Sequence, residues 1–304
     1  MLRTALLSDE MWARIEPLLP DRGPRRGGRW SEHRPVVEAI CWRFRTGSPW
    51  RDLPRDFPSW QTVWWRFDRW AKDGTWDRVL LELQGQAHAV ADLEWVVSVD
   101  STVARAHQHA AGARRPSQGA GSNHRFRSSE PEDHALGRSR GGWSTKTHLS
   151  VDRRGRPLSV RLTPGQAGDN PQLLPLIDDI RVPAAGLGGR PRRRPDCVIA
   201  DKAYSHPSTR KALRRRGIRV VIPEKSDQIA HRSTKGSRGG RPPRFDAELY
   251  RDRNVVERAF NRLKGWRGIA TRYDKHARNY RAGVIVACIV LFWAPTASDP
   301  SDRP

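Results

Sequence analysis

The chain of 304 residues is long enough to bury a substantial core and to divide into two domains. Its formal net charge of +23 attracts polyanions and makes nucleic acid the leading partner. The one long apolar run, 282–294, falls short of the ~20 residues a bilayer span needs, so no membrane partner is expected and the run reads as a buried core helix.

The basic residues are 48 arginines and eight lysines; the arginine fork suits bidentate phosphate contacts, although a GC-rich genome gives the same bias. The opening MLRTALLSDEMW has no stretch apolar enough for a signal peptide. Cys41, Cys197 and Cys288 are odd in number and far apart, so neither a disulfide frame nor a zinc site is expected and a reducing cytoplasm is.

Nine of the thirteen tryptophans precede residue 80, a composition shift that marks an amino-terminal domain over residues 1–90. Three helices are predicted there: from Ser8 to about Leu19 with Ser8 as cap, from Ser31 to Arg45, and from Ser59 to Lys72 with Gly74 ending it. In the third, Trp60, Val63, Trp64, Phe67 and Trp70 recur at core spacing, which leaves Gln61, Thr62, Trp65, Arg66 and Arg69 on other faces. Short polar side chains followed by arginines suit a helix-turn-helix reader in which Gln61, Thr62, Arg66 and Arg69 face DNA. A small helical bundle with a solvated arginine face would carry the same pattern.

After Leu93 the texture changes to short apolar runs: EWVVSVD (94–100), THLSVD (147–152), LSVRLTP (158–164), CVIAD (197–201) and RVVIP (219–223). Helical segments are predicted at Asn170 to Ile180 and Ser208 to Arg216. The fold class is therefore α/β, a mixed sheet over 91–294 preceded by the helical domain. Segments 111–142 and 224–246, rich in glycine and basic residues, cannot form a core and read as loops that order on DNA; 295–304 reads as a flexible tail.

Asp100 and Asp201 each follow an apolar run, which would stand both at the carboxyl ends of buried strands, where they could meet or could simply start turns. The stretch YRDRNVVERAFNRLKGW, Tyr250 to Trp266, reads as one helix. With Glu257 at zero and about 100° per residue, Arg253 lies near −40°, Tyr250 near +20° and Lys264 near −20°, all on one narrow face. Val256, Phe260 and Leu263 form an adjoining apolar strip, while Arg251, Arg258 and Arg262 fall on a solvated or phosphate-facing side. A lone i,i+4 pairing of Arg253 with Glu257 would contribute only about 0.3–0.5 kcal/mol and needs neither the tyrosine nor the lysine. Two strand-end aspartates and one helix glutamate are enough to hold a pair of magnesium ions about 4 Å apart for phosphoryl transfer.

The tyrosine, arginine, glutamate and lysine at 250, 253, 257 and 264 resemble the signature of bacterial insertion-sequence transposases of the DDE class. VDSTVARAHQHAAGARR, GRSRGGWSTKTH, LTPGQAGDNPQLLPLI, ADKAYS and RNVVERAFNRLKGWRGIATRYDKHARNY are similar to blocks of the insertion-sequence-5 family, as are LSDEMWARIEPLLP and GSPWRDLP. The resemblance implies a ribonuclease H-like domain in which Asp100, Asp201 and Glu257 bind two Mg2+ ions, with Mn2+ as a substitute. It implies that Tyr250, Arg253 and Lys264 handle double-stranded DNA at the transposon end. The expected activity is binding of terminal inverted repeats, metal-dependent strand cleavage and transfer into target DNA, by a homodimer on paired ends in the bacterial cytoplasm at the nucleoid. A structure-specific nuclease and a non-catalytic DNA-binding repressor, or decayed transposase, are the rivals. Arg258 and Arg262 are expected DNA contacts. The pair His107 and His109 lacks further ligands and reads as a DNA-facing loop. Lys202 and Tyr204 beside Asp201 suit phosphate contact or surface packing equally.

Overall fold

The computed structural model describes residues 6–23, 30–113, 134–184 and 189–295. Ser8 starts the first helix, α1 (Asp9–Ile15), where its hydroxyl accepts from the Met11 amide at 3.2 Å and Asp9 and Glu10 fill the first turn. The second, α2 (His33–Thr46), stops at Gly47, whose φ of +73° suits a residue without Cβ. Ser59 caps α3 (Trp60–Lys72). Gly74 ends nothing more than a turn: its left-handed backbone leads directly into a fourth helix, α4 (Thr75–Ala89), whose Trp76, Val79, Leu80 and Leu83 are buried. The amino-terminal region therefore has four helices where three were expected.

The sheet begins with β1 (Val96–Ala106), followed by a short helix α5 (Gln108–Ala111), β2 (Gly137–Ser139), β3 (Gly142–Val151) and β4 (Pro157–Pro164). After α6 (Asn170–Asp178) come β5 (Cys197–Ala200), α7 (Pro207–Arg215) and β6 (Arg219–Val221). β3 runs antiparallel to β1 on one edge and to β4 and then β2 on the other. β5 lies parallel to β1, and β6 parallel to β5. All four residues of β5 are buried, as expected for a parallel strand covered on both faces. The sheet is mixed and the class is α/β.

Among the described residues after β6 the elements are helices and one short strand: α8 (Ser226–Thr234), α9 (Ala247–Tyr250), α10 (Asn254–Lys264), α11 (Arg267–Ala270), β7 (Thr271–Arg272) and α12 (Ala277–Cys288), which runs on into a π-helical turn, Ile289–Trp293. β7 pairs parallel with the far end of β1. Segment 224–246 is not all loop, because α8 forms there, although none of its residues is buried. Residues 114–133 of the other expected loop lie outside the described residues; its remainder supplies β2 and the buried His134, Ala135 and Leu136. Of the tail, 296–304 lie outside the described residues as well.

One apolar cluster runs from Leu7 through the sheet to Ala294, and α12 stands inside it with Val284, Ile285, Val286 and Ala287 fully buried. That helix packs on α2, α3, α4 and β4 together, so the amino-terminal helices share the core of the sheet. Gly283 allows the approach to α2: a Cβ there would fall 2.1 Å from the Phe44 ring. A buried bidentate pair, Arg43 to Asp274 at 2.9 and 3.2 Å, ties α2 to the turn before α12. Among the described residues no helix is long and apolar enough to cross a membrane.

Candidate active site

Asp100 is not at the end of its strand. β1 continues for six residues beyond it, because STVARA pairs antiparallel with Ser144 to His148 of β3. What ends at this point is the parallel neighbour. The last register pair of β1 and β5 is Val99 with Ala200, and no strand takes up that edge of β1 again until β7 pairs at Arg105. Asp100 stands at the start of this opening. Asp201 follows β5 directly, where its carboxylate accepts from the Ala203 amide and caps a 3-10 turn. The in-register pair before them, Val99 with Ala200, brings the two aspartates near each other, Asp100 within β1 and Asp201 just past the end of β5.

α10 packs on β1 and β3 through Val256, Phe260 and Leu263, the strip expected from the sequence, with Val255 and Ala259 buried beside it. The helix is not continuous back to Tyr250: a 3-10 turn, Arg251–Arg253, joins α9 to α10. Arg253 at that junction donates from Nη1 to Asp100 Oδ2 at 3.2 Å and from Nη2 to Glu257 Oε1. Its guanidinium also stands 6.0 Å from the centre of the Tyr250 ring. Lys264 and Arg258 are exposed on the same helix. Arg262 is exposed but tethered, donating to the Leu291 carbonyl at 2.7 Å and covering the Phe292 ring, which limits its use on phosphate.

Burial pushes the Asp100 carboxyl above the usual carboxylate range, and Asp201 and Glu257 add to the rise; the Ser101 amide and Arg253 oppose it. Burial likewise raises the Tyr250 phenol, with Asp201 and Asp100 adding. Negative charge is thus concentrated in a partly desolvated place with one arginine as counter-charge. The donors are carboxylate oxygens, the type a hard divalent cation takes. Among the described residues no three His, Cys, Asp or Glu side chains are gathered closely enough to hold a metal ion, and Arg253 lies between two of the three candidates.

The model for "transposase DDE domain" matches residues 92–292, and that for "putative transposase of IS4/5 family" matches residues 7–80. The chain belongs to the DDE transposases. It is 40% identical to the uncharacterized protein y4sN of Sinorhizobium fredii over 113 residues, 37% of this chain and 86% of that one. Similarity to the putative transposase for IS402 of Burkholderia cepacia is 36% over 149 residues, 49% of this chain and 63% of the relative. For the putative transposase for IS6501 of Brucella ovis it is 32% over 149 residues, covering 49% and 98%. No solved structure matches the chain.

Reading the sequence of this transposase for its site missed a second polar group next to the carboxylates. Ser101 donates to Asp169 Oδ1 at 2.6 Å, and Lys146 reaches the same oxygen at 2.9 Å and the Ala167 carbonyl at 2.8 Å. A signal existed: Lys146 lies in GRSRGGWSTKTH and Asp169 in LTPGQAGDNPQLLPLI, two blocks that resembled the family, but neither has a spacing that joins it to Asp100. Tyr204 is buried, which pushes its phenol up, so it packs inward and does not face phosphate; Lys202 is exposed. His107 caps α5, its ring 4.6 Å from that of His109 and 5.0 Å from Tyr273.

On α3 the transposase exposes Gln61, Trp65 and Arg69, with Thr62 half-buried. Arg66 is the correction. Only 6% of it is exposed: its guanidinium donates to His33 Nδ1 at 2.8 Å and stacks 4.1 Å from the Trp30 ring. Burial lowers its pKa to about 10, a cost that a solvated phosphate clamp would not carry. The angle around the helix could not show that Trp30 and His33 cover that face.

Proposed function

We propose that this transposase cuts DNA at the terminal inverted repeats of an insertion sequence and joins the freed 3′ ends to target DNA, with Asp100, Asp201 and Glu257 as the catalytic carboxylates of a ribonuclease H-like domain. The observation that carries this reading is Arg253, whose guanidinium links Asp100 of the sheet to Glu257 of α10, next to the point where Asp201 follows the last β1–β5 register pair, Val99 with Ala200. With Arg253 displaced, Asp100, Asp201 and Glu257 would hold two Mg2+ ions, or Mn2+, which would supply activation of water and neutralisation of the leaving oxygen. The chain's own part is positioning. The β1–β5 register fixes the spacing of the aspartates, and α10, seated by Phe260 and Leu263, brings the glutamate to them.

Tyr250, Arg253 and Lys264, with Arg258 on the neighbouring face of α10, hold phosphates of the transposon end, while Gln61, Thr62 and Arg69 of α3 meet the duplex farther out. A homodimer on paired ends accounts for joining both ends to one target. The test is a labelled duplex taken from the DNA flanking the gene, incubated with Mg2+. Wild type should cut one strand at a unique position and yield joined products with added target. Asp201→Asn should bind the duplex and not cut it; cleavage near the wild-type rate in that variant would refute the assignment. Cutting without joined products would leave a nuclease.

A further inference from the structure

Segment 224–246 leaves the sheet after β6 and returns at α9, and it contributes nothing to the core: α8 and the turn Gly236–Gly239 contain no buried residue. What it does build is a groove against α7. One half, about 780 Å³, lies among Arg210, Arg214, Arg219, Arg241 and Arg244. It continues, through Arg210, Arg214 and Arg241, into a second half of about 330 Å³ bordered by His231, Arg232 and Lys235.

Among the described residues two carboxylates line this groove, and both are taken. Glu224 pairs with Arg232, and Asp246 with Arg219. Arg210 is turned inward and donates to the carbonyls of Ser205, Ile222 and Pro223, so it shapes the floor. Arg214, Lys235, Arg241 and Arg244 are exposed, and among the described residues none of them meets a carboxylate in an ion pair. The lining amide that could read a base edge, Gln228, is also spent: it accepts from the Lys225 amide and donates to the Ser205 carbonyl. A groove that offers exposed cations without carboxylate partners suits phosphates, the contact that carries no sequence information.

Its place in the chain is informative too. α7 follows Asp201 after one turn, and α9 precedes Arg253 and Glu257. Both walls of the groove are therefore attached to the elements that hold two of the proposed catalytic carboxylates. We infer that this groove holds the backbone of the target duplex, the strand-transfer substrate that has no fixed sequence, and delivers it to the site. The inference rests on the transposase reading above.

The test compares wild type with the fourfold variant R214A/K235A/R241A/R244A, whose four side chains are all exposed and leave the core untouched. Binding of a random-sequence duplex should weaken by roughly tenfold or more at moderate salt, and the slope of log affinity against log salt should lessen by roughly 3 to 4, one per lost phosphate contact. Cleavage of the flanking-DNA duplex should be retained, while insertion into a supercoiled plasmid falls by roughly tenfold. An unchanged random-duplex slope would overturn the proposal. So would equal losses of cleavage and insertion, which would give the groove to end DNA instead. If wild type neither cuts nor joins, it is the transposase reading that fails, and the random-duplex slopes still decide whether the groove binds DNA.

Discussion

Arg253 donates to Asp100 at 3.2 Å across 153 positions of sequence, and with its other terminal nitrogen it holds Glu257 one helical turn away. A guanidinium bonded to both carboxylates competes with a divalent ion for their oxygens. Arg253→Gln should therefore raise the affinity of the DNA-free protein for Mn2+, by roughly tenfold if about 1.4 kcal/mol of competition is removed. Spectroscopic titration of free Mn2+ reads this without catalysis. An unchanged or weaker affinity would show that Arg253 supports the metal position and does not compete for it.

Glu257→Gln keeps shape and removes charge. Strand cleavage should fall by about 100-fold or more, since weakening even the outer shell of a metal site typically costs roughly 10–100-fold and this change removes a ligand's charge. Affinity for end DNA should hold or rise slightly, because a negative charge next to phosphate is gone. Loss of DNA binding with cleavage per bound complex preserved would move Glu257 out of the catalytic set.

Arg66 and Arg69 sit three residues apart and should behave oppositely. Arg66→Ala removes the partner of His33 and the cover of Trp30, and should lower the melting temperature. Arg69→Ala should leave the melting temperature in place and weaken end-DNA binding. If Arg66→Ala melts like wild type and binds DNA poorly, the phosphate-clamp reading from sequence was the better one.

The ion pair of Arg43 and Asp274 is buried on both sides, 4% and 7% exposed. Arg43→Ala strands a carboxylate in the core and should cost about 3–5 kcal/mol of stability. Replacing both partners with apolar residues should recover much of the loss. A loss under about 1 kcal/mol would mean that water reaches Asp274.

His148 is fully buried in β3, where Nε2 meets the Thr163 hydroxyl at 2.8 Å, and burial above all lowers its pKa to about 4. The unfolded chain takes up this proton near pH 6.5 and the folded one only near 4. The contribution of neutral His148 is thus complete above pH 6.5 and disappears as the pH falls from 6.5 to about 4, on the order of 3 kcal/mol in all. Urea unfolding of wild type and His148→Gln across that range should give curves that converge on acidification; parallel curves would refute the shift.

Local chemistry was readable from the chain wherever one residue decides it. Ser8 and Ser59 announced their helices, and the spacing of Val256, Phe260 and Leu263 gave the buried strip of α10. Gly74 misled because a left-handed glycine suits a helix start as well as a stop. The end of β1 was misplaced because a strand can change neighbours: parallel pairing with β5 ends at Val99, yet antiparallel pairing with β3 carries the strand onward. The link of Ser101 to Asp169 spans 68 positions and has no local periodicity to announce it.

The place of α12 has a consequence for how the molecule comes into being. α2, α3 and α4 are made before α12, so the Phe44 surface stays uncovered until residues 277–288 have been synthesised. A product broken off before residue 277 would leave that apolar surface open to proteolysis.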